Sequence, residues 1–145
     1  MPSQDPLADR LHSAAIHLLR RLATADAESG LSPARLSALS VIVYGGPLTM
    51  NELARAERVR PSTITSTVKG LEEGGLVDRR RDPSALDGRT VVVGATARGR
   101  RVLTAARRKR LRRLEHDLDR LPVRDRSALE RGVAALERLL AQEPC

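Results

Sequence analysis

Aromatic side chains are almost missing from this chain: Tyr44 stands alone, with no Phe and no Trp among 145 residues. That excludes surfaces that hold single-stranded nucleic acid by stacking bases on rings. A core without rings must be built from Leu, Val, Ile and Ala, so each buried side chain removes less area from water. Sharing apolar surface between two chains then becomes favourable. Cysteine is nearly absent too. Cys145, the last residue, is the only one, so no internal disulfide framework exists and redox sensing has weak support.

Chemical machinery is equally scarce. The chain holds no HExxH pair, no glycine-rich phosphate loop and no nucleophile elbow. Its histidines are His12, His17 and His116; the first two diverge by about 140° around a helix and cannot share a metal unaided. The expectation is a protein that is not an enzyme and uses no cofactor or metal. No apolar run is long enough to cross a bilayer, and Met1 to Arg10 includes Asp5 and Asp9 where a signal peptide would be basic and then apolar. With a single cysteine, this fits a cytoplasmic protein with no membrane partner.

Negative charge is in deficit as well: 26 Lys and Arg face 18 Asp and Glu, a net charge of +8. Such an excess favours polyanion partners and says nothing about fold. The densest run, Arg107-Arg108-Lys109-Arg110 with Arg112-Arg113, reads as a solvated helix face or as a phosphate grip without sequence choice.

What is present lies chiefly between Thr49 and Val93. Thr49-Met50-Asn51-Glu52 is a capping box opening a helix with Leu53, Ala54 and Ala56 on its apolar face. Pro61 suits the first position of a second helix, in which Ile64, Val68 and Leu71 recur as one buried stripe. Ser62, Ser66 and Lys69 fall on the opposite side, flanked by Thr63 and Thr65. A short, polar, positively tipped face of this kind can approach base edges in a major groove. Gly74-Gly75 ends the helix with left-handed conformers, Leu76-Val77 opens a strand, and Asp87-Gly88 before Arg89-Thr90-Val91-Val92-Val93 signals a hairpin. Arg79, Arg80, Arg81 and Arg89 on that ribbon sit where a phosphate backbone or a narrow minor groove is gripped.

The ends supply leucine stripes. From Pro6 to Ala27, Leu7, Leu11, Ala14 or Ala15, Leu18 and Leu22 share a face; Ser32-Pro33 caps a second helix to about Tyr44 with Leu36, Leu39 and Val43 on one side. Thr96 caps a long helix carrying Leu103, Leu111, Leu114, Leu118 and Leu121. Pro122 separates it from a last helix with Leu129, Val133, Leu136 and Leu140. These stripes either pack against the chain's own centre or form an interface with a second copy.

In order and spacing the chain resembles the multiple antibiotic resistance regulator (MarR) family of winged helix-turn-helix transcription factors. The resemblance is carried by Pro61-Ser62-Thr63-Ile64-Thr65, Leu71-Glu72-Glu73-Gly74-Gly75-Leu76-Val77, Asp87-Gly88-Arg89 and Ala95-Thr96-Ala97-Arg98-Gly99-Arg100. It implies a mainly α fold with a small β-hairpin wing, in which a winged helix-turn-helix core is flanked by N- and C-terminal dimerisation helices. One protomer would span 1–145, with the DNA-binding part at 32–95 and the dimerisation helices at 5–28 and 96–142. Arg89 would enter the minor groove, Asp87 would order the wing, and Ser62, Thr63 and Ser66 would approach bases or phosphates. Arg60, Thr65, Lys69, Arg79 and Arg81 complete the expected DNA-contacting set. The expected dimer surface is Leu7, Leu11 and Leu18 with Leu114, Leu118, Leu121, Leu129, Val133, Leu136 and Leu140.

Three departures from the family pattern stand out: Arg60 where a capping Ser or Thr is frequent, Ser66 where an arginine is frequent, and Lys69 where an acid is frequent. Gly70 costs about 1 kcal/mol of helix propensity relative to alanine. The expected function is a sequence-specific regulator that binds double-stranded DNA. It would be a ligand-responsive repressor acting as a homodimer on a pseudo-palindromic operator. The family implies small anionic or aromatic effectors between the dimer helices and the winged part; which effector this chain takes is not specified, although Arg20, Arg21 and Arg35 could serve an anion. The competing reading is a basic architectural or RNA-binding protein with little sequence choice.

Overall fold

The computed structural model describes residues 5–141; Cys145 lies outside them. Helix α1 (Pro6–Asp26) is capped by Asp5, whose carboxylate accepts from the Leu7 amide at 2.8 Å, and runs into a 3-10 turn, Ala27–Ser29. Helix α2 (Pro33–Gly45) is capped by Ser32. Helix α3 (Met50–Glu57) starts in the full capping box: the Thr49 hydroxyl accepts from the Glu52 amide at 3.2 Å and Glu52 accepts from the Thr49 amide at 2.8 Å. Helix α4 (Pro61–Glu73), strands β1 (Val77–Arg81) and β2 (Val91–Ala95), α5 (Ala97–Asp119) and α6 (Val123–Leu140) complete the order.

The core lies where α2, α3, α4 and the hairpin meet. Leu39, Ile42, Leu53, Ile64, Val68, Leu71 and Val93 are its largest fully buried side chains. The spacing of Ile64, Val68 and Leu71 thus buries one stripe of α4 and turns the opposite face outward. Burying such an aliphatic side chain is worth about 1.5 to 3 kcal/mol. Ala56, expected on the apolar face of α3, is exposed; that helix is short and buries only Leu53 and Ala54.

The end of α4 closes in a Schellman motif. Leu76 donates to the Leu71 carbonyl and Gly75 to the Glu72 carbonyl, each at 2.9 Å. Only Gly75 is left-handed, at φ 68°; Gly74 stays right-handed as the cap itself. The Thr96 hydroxyl donates to the Gly75 carbonyl at 2.7 Å and accepts from the Gly99 amide at 3.0 Å. One side chain therefore both caps α5 and anchors it to the end of α4.

The hairpin is antiparallel, with Val77 opposite Ala95 and Arg81 opposite Val91. Leu48 adds a bridge outside Val93, its amide donating to the Val93 carbonyl at 3.1 Å and its carbonyl accepting from the Val93 amide at 2.7 Å. Residues 82–90 form a long connecting loop rather than a tight Asp-Gly turn, so Arg89 stands in the loop and not on β2. The cause is visible in Asp82 and Asp87, whose side chains satisfy loop amides that a strand ladder would otherwise use.

By contacts the chain forms two compact units, one through Arg110 and one from Leu111. In the second, α6 buries none of its residues, and Leu118, Leu129 and Val133 line an open groove of about 530 Å³. Leu121 lies beyond the end of α5, in the turn before Pro122. In the first unit, α1 buries only Asp26 and leaves Leu7, Leu11 and Leu18 exposed.

Candidate nucleic-acid interface

The exposed face of α4 carries Ser62, Thr63, Thr65, Ser66 and Lys69. Among the described residues, the hydroxyls of Ser62, Thr63 and Ser66 and the Lys69 ammonium have no partner, whereas Thr65 donates back to the Pro61 carbonyl at 2.8 Å. Thr65 can therefore offer a methyl group and a lone pair but no proton. Arg60 holds the cap position in extended conformation without a side-chain cap bond. The first amides of α4 consequently point outward with no protein acceptor, and the helix dipole adds partial positive charge at the same place.

Two residues beside this helix end were not singled out from the sequence. Arg58 ends α3 at φ 53°, the one non-glycine residue in the left-handed region among those described. Its amide donates to the Ala54 and Arg55 carbonyls. Arg55, Arg58 and Asn51 rim a hollow of about 560 Å³ closed by Ala54, Val59 and Pro61. The sequence signal was the spacing of Arg55 and Arg58 ahead of Pro61, but it takes the left-handed turn at Arg58 to bring both to one hollow.

The wing sorts its arginines. Arg79 donates to Glu72 at 2.8 Å and is thus tied to α4. Arg80 folds over Gly94, where a β-carbon would stand 2.6 Å from its terminal nitrogen, and grips Asp78 at 2.9 and 2.6 Å. Arg81 and Arg89 have no carboxylate partner among the described residues. The four arginines read from the sequence therefore divide into two that support the hairpin and two left for a ligand.

Asp87 organises the loop. One of its oxygens accepts from the Arg89 amide at 3.1 Å, the Thr90 amide at 3.3 Å and the Thr90 hydroxyl at 3.1 Å. These donors hold its carboxyl below the ordinary value, the Arg89 amide contributing most. Asp82 does the same for the Ser84 hydroxyl and amide, at 2.7 and 2.9 Å, with the same lowering. Each acid is thus tied to the loop through one oxygen and stays ionised at neutral pH.

Farther along, the basic run on α5 is partly neutralised. Arg110 grips Asp26 through two hydrogen bonds of 2.6 and 2.7 Å, Lys109 reaches Glu28 at 2.8 Å, and Arg113 lies 3.7 Å from Asp117. Asp26, only 6% exposed, is the one buried charged residue among those described, and its contact raises the Arg110 pKa. This pair forms one wall of a cleft of about 560 Å³ that Leu19, Leu22, Leu36, Val41 and Leu103 also line. Arg20 faces the cleft too, whereas Arg35 lies against Gly70 of α4. No group of three His, Cys, Asp or Glu able to hold a metal occurs among the described residues, and no described helix is long and apolar enough to cross a membrane.

Comparison with known proteins agrees with this geometry. A profile described as MarR family matches residues 29–89. An uncharacterised helix-turn-helix-type transcriptional regulator of Mycobacterium leprae is 33% identical over 144 residues, covering 99% of both chains. The solved structure of a protein described as a transcriptional regulator from Pseudomonas aeruginosa superposes with a TM-score of 0.81 at 32% identity, covering 98% of this chain and 100% of that one. A MarR family protein from Bacillus stearothermophilus gives a TM-score of 0.78 at 26% identity over 94% of each chain.

Proposed function

Since the chain belongs to the MarR family of winged helix-turn-helix transcriptional regulators, we propose that it is a homodimeric repressor of the bacterial type that reads a pseudo-palindromic operator and lets go when a small molecule binds. The observation that carries the DNA-reading part is the sorting of polar groups. On α4 and the wing, the side chains of Arg60, Ser62, Thr63, Ser66, Lys69, Arg81 and Arg89 have no protein partner among the described residues, while neighbouring Arg79 and Arg80 are neutralised. Phosphate and base contacts need free donors held on a rigid frame, and this face supplies them.

In this reading α4 enters a major groove, its uncapped N-terminus and Arg60 meet a phosphate, and Arg89 enters the adjacent minor groove. Two copies place two such helices about one helical turn apart. The dimer is supported by apolar surface that the described residues leave uncovered: Leu7, Leu11 and Leu18 of α1 are exposed, and α6 buries no residue although its Leu129, Val133, Leu136 and Leu140 follow a helical stripe. The cleft beside Asp26 and Arg110 is the place for an effector. A ligand there regulates only if it binds the DNA-competent and incompetent spacings with different affinity. A cytoplasmic location belongs to the same proposal.

The competing reading, a basic protein with little sequence choice, drew on the α5 run. Three members of that run are occupied by carboxylates, which leaves less charge for an indiscriminate grip. The test is a titration against salt with duplexes selected from random sequence and with scrambled versions, alongside light scattering. Tighter binding of selected duplexes by a two-chain species is expected. Equal affinities, or a single chain on the duplex, would sink the proposal.

A further inference from the structure

Leu86 sits in the loop at the end of the wing with a relative exposure of 109%. An exposed leucine is by itself ordinary. What distinguishes this one is its mounting. Pro83 stiffens the ascending side, and two successive turns follow, closed by Ala85 donating to the Asp82 carbonyl and Gly88 donating to the Ala85 carbonyl, each at 3.3 Å. Asp82 donates from its amide to the Thr90 carbonyl at 2.8 Å, closing the loop at its base. Gly88, at φ 60°, makes the return possible.

Two arginines flank this apex. Asp82 and Asp87 each hold loop donors through one carboxylate oxygen, and Arg81 and Arg89, on either side of the loop, have no carboxylate partner among the described residues. A rigid projection with free arginines at its flanks and an apolar tip is complementary to a minor groove. There the arginines meet concentrated negative potential, and an aliphatic side chain can press between base steps. An acidic protein surface would satisfy the arginines but offers the leucine no slot of that shape.

We propose that Leu86 is a wedge that the wing presses into the minor groove beside Arg89, so that this protein selects operator flanks by how readily a base step opens. The proposal rests on the placement of the wing in the minor groove argued above. It adds specificity at positions with no base-edge hydrogen bond: pyrimidine–purine steps open easily and stiff A-tracts resist. Because the tip is held by its own loop, little conformational entropy is lost when it inserts.

Wild-type, Leu86→Ala and Arg89→Ala proteins, each full length, can be used to enrich duplexes from one random-sequence pool, with affinities then measured on the wild-type selection. The wild type should recover flanks rich in TA and CA/TG steps. Leu86→Ala should recover the same central motif without that flank preference and bind the wild-type selection about tenfold more weakly, the scale of one lost base-step discrimination. Leu86→Met should restore the preference. Leu86 is fully exposed, so its removal leaves the fold intact. Identical flanks and affinities for Leu86→Ala, with Arg89→Ala weakened, would remove the wedge and leave the regulator reading standing. Unchanged binding by Arg89→Ala would remove both. Loss of self-association in Leu86→Ala, with flank preference kept, would also overturn the wedge.

Discussion

The guanidinium of Arg35 in α2 lies where a β-carbon on Gly70 of α4 would stand, overlapping that position with its Nε, Cζ and terminal nitrogen. A glycine in mid-helix costs about 1 kcal/mol against alanine, and here it accommodates a side chain from the neighbouring helix. The obstacle is the far end of a flexible arginine that makes no side-chain hydrogen bond among the described residues, so it can swing aside. Gly70→Ala is therefore expected to stabilise the protein by about 0.5 to 1 kcal/mol, and Arg35→Ala to change stability by less than about 0.5 kcal/mol. Urea denaturation of both single variants and the double variant checks this. A destabilised Gly70→Ala that Arg35→Ala rescues would show that the contact matters more than the helix propensity.

Gly99 in α5 presents the opposite case. A β-carbon there would strike the Leu76 carbonyl oxygen, with the Leu76 carbonyl carbon at 3.0 Å and the Leu39 side chain at 3.3 Å. Backbone at the Schellman turn cannot yield as an arginine can, because the same carbonyl accepts from the Thr96 amide at 3.0 Å. The overpacking cost of about 1 to 3 kcal/mol exceeds the propensity gain. Gly99→Ala should lower the urea midpoint without changing the slope of the transition.

Asp26 and Arg110 hold the α1 end against α5 at one wall of the cleft. Asp26→Ala leaves Arg110 without its two short hydrogen bonds, but the arginine side chain is 40% exposed and water can take over part of the loss. The expected cost is about 1 to 3 kcal/mol, the range for charge-assisted hydrogen bonds. If the cleft is the effector site, Asp26→Ala should also change how duplex binding responds to added small acids. Thermal melting and fluorescence anisotropy measure the two effects separately.

Acid should loosen the wing. Asp82 and Asp87 both have lowered pKa values in the fold, below their ordinary 3.8, through loop hydrogen bonds. A carboxyl lowered by folding contributes stability that is complete above its unfolded value and is lost as pH falls through the folded one. The wing loop should thus be intact at neutral pH and lose order only below about pH 4. Amide resonances of Ser84, Arg89 and Thr90 followed through an acid titration should move together. In Asp87→Asn the Arg89 and Thr90 shifts should lose their acid step while Ser84 keeps its own.

Most helix boundaries were legible in the sequence because they rest on local chemistry. Thr49 and Glu52 form the predicted capping box, Pro61 starts α4, and the stripe of Ile64, Val68 and Leu71 is buried as its period required. What escaped reading depends on contacts between distant residues. Nothing local marks Arg79 for Glu72, Arg80 for the space over Gly94, or Arg110 for Asp26, yet these pairings decide which arginines remain available. Composition could count the cations; only the fold could say which of them were already engaged. Leu121 illustrates the limit of periodicity, since the heptad spacing continues through a residue that the approach of Pro122 has already released from the helix.

That partition gives a graded expectation for DNA binding along the wing. Arg89 and Arg81 have no ion-pair partner among the described residues, so replacing either with alanine removes a contact that had no internal compensation there. Arg89→Ala should weaken duplex binding by about 1 to 3 kcal/mol and reduce the slope of log affinity against log salt by about one unit. Arg79 must break its 2.8 Å bond to Glu72 before it can meet a phosphate, and that pair is partly exposed, so it is worth no more than about 1 kcal/mol. Arg79→Ala should therefore cost less in binding than Arg89→Ala and leave the salt slope nearly unchanged, whereas Glu72→Gln should free Arg79 and steepen the slope. Anisotropy titrations over a range of salt concentrations rank the variants. An Arg79→Ala effect equal to that of Arg89→Ala would mean that the ion pair opens at the duplex and that the fold does not set the order of these contacts.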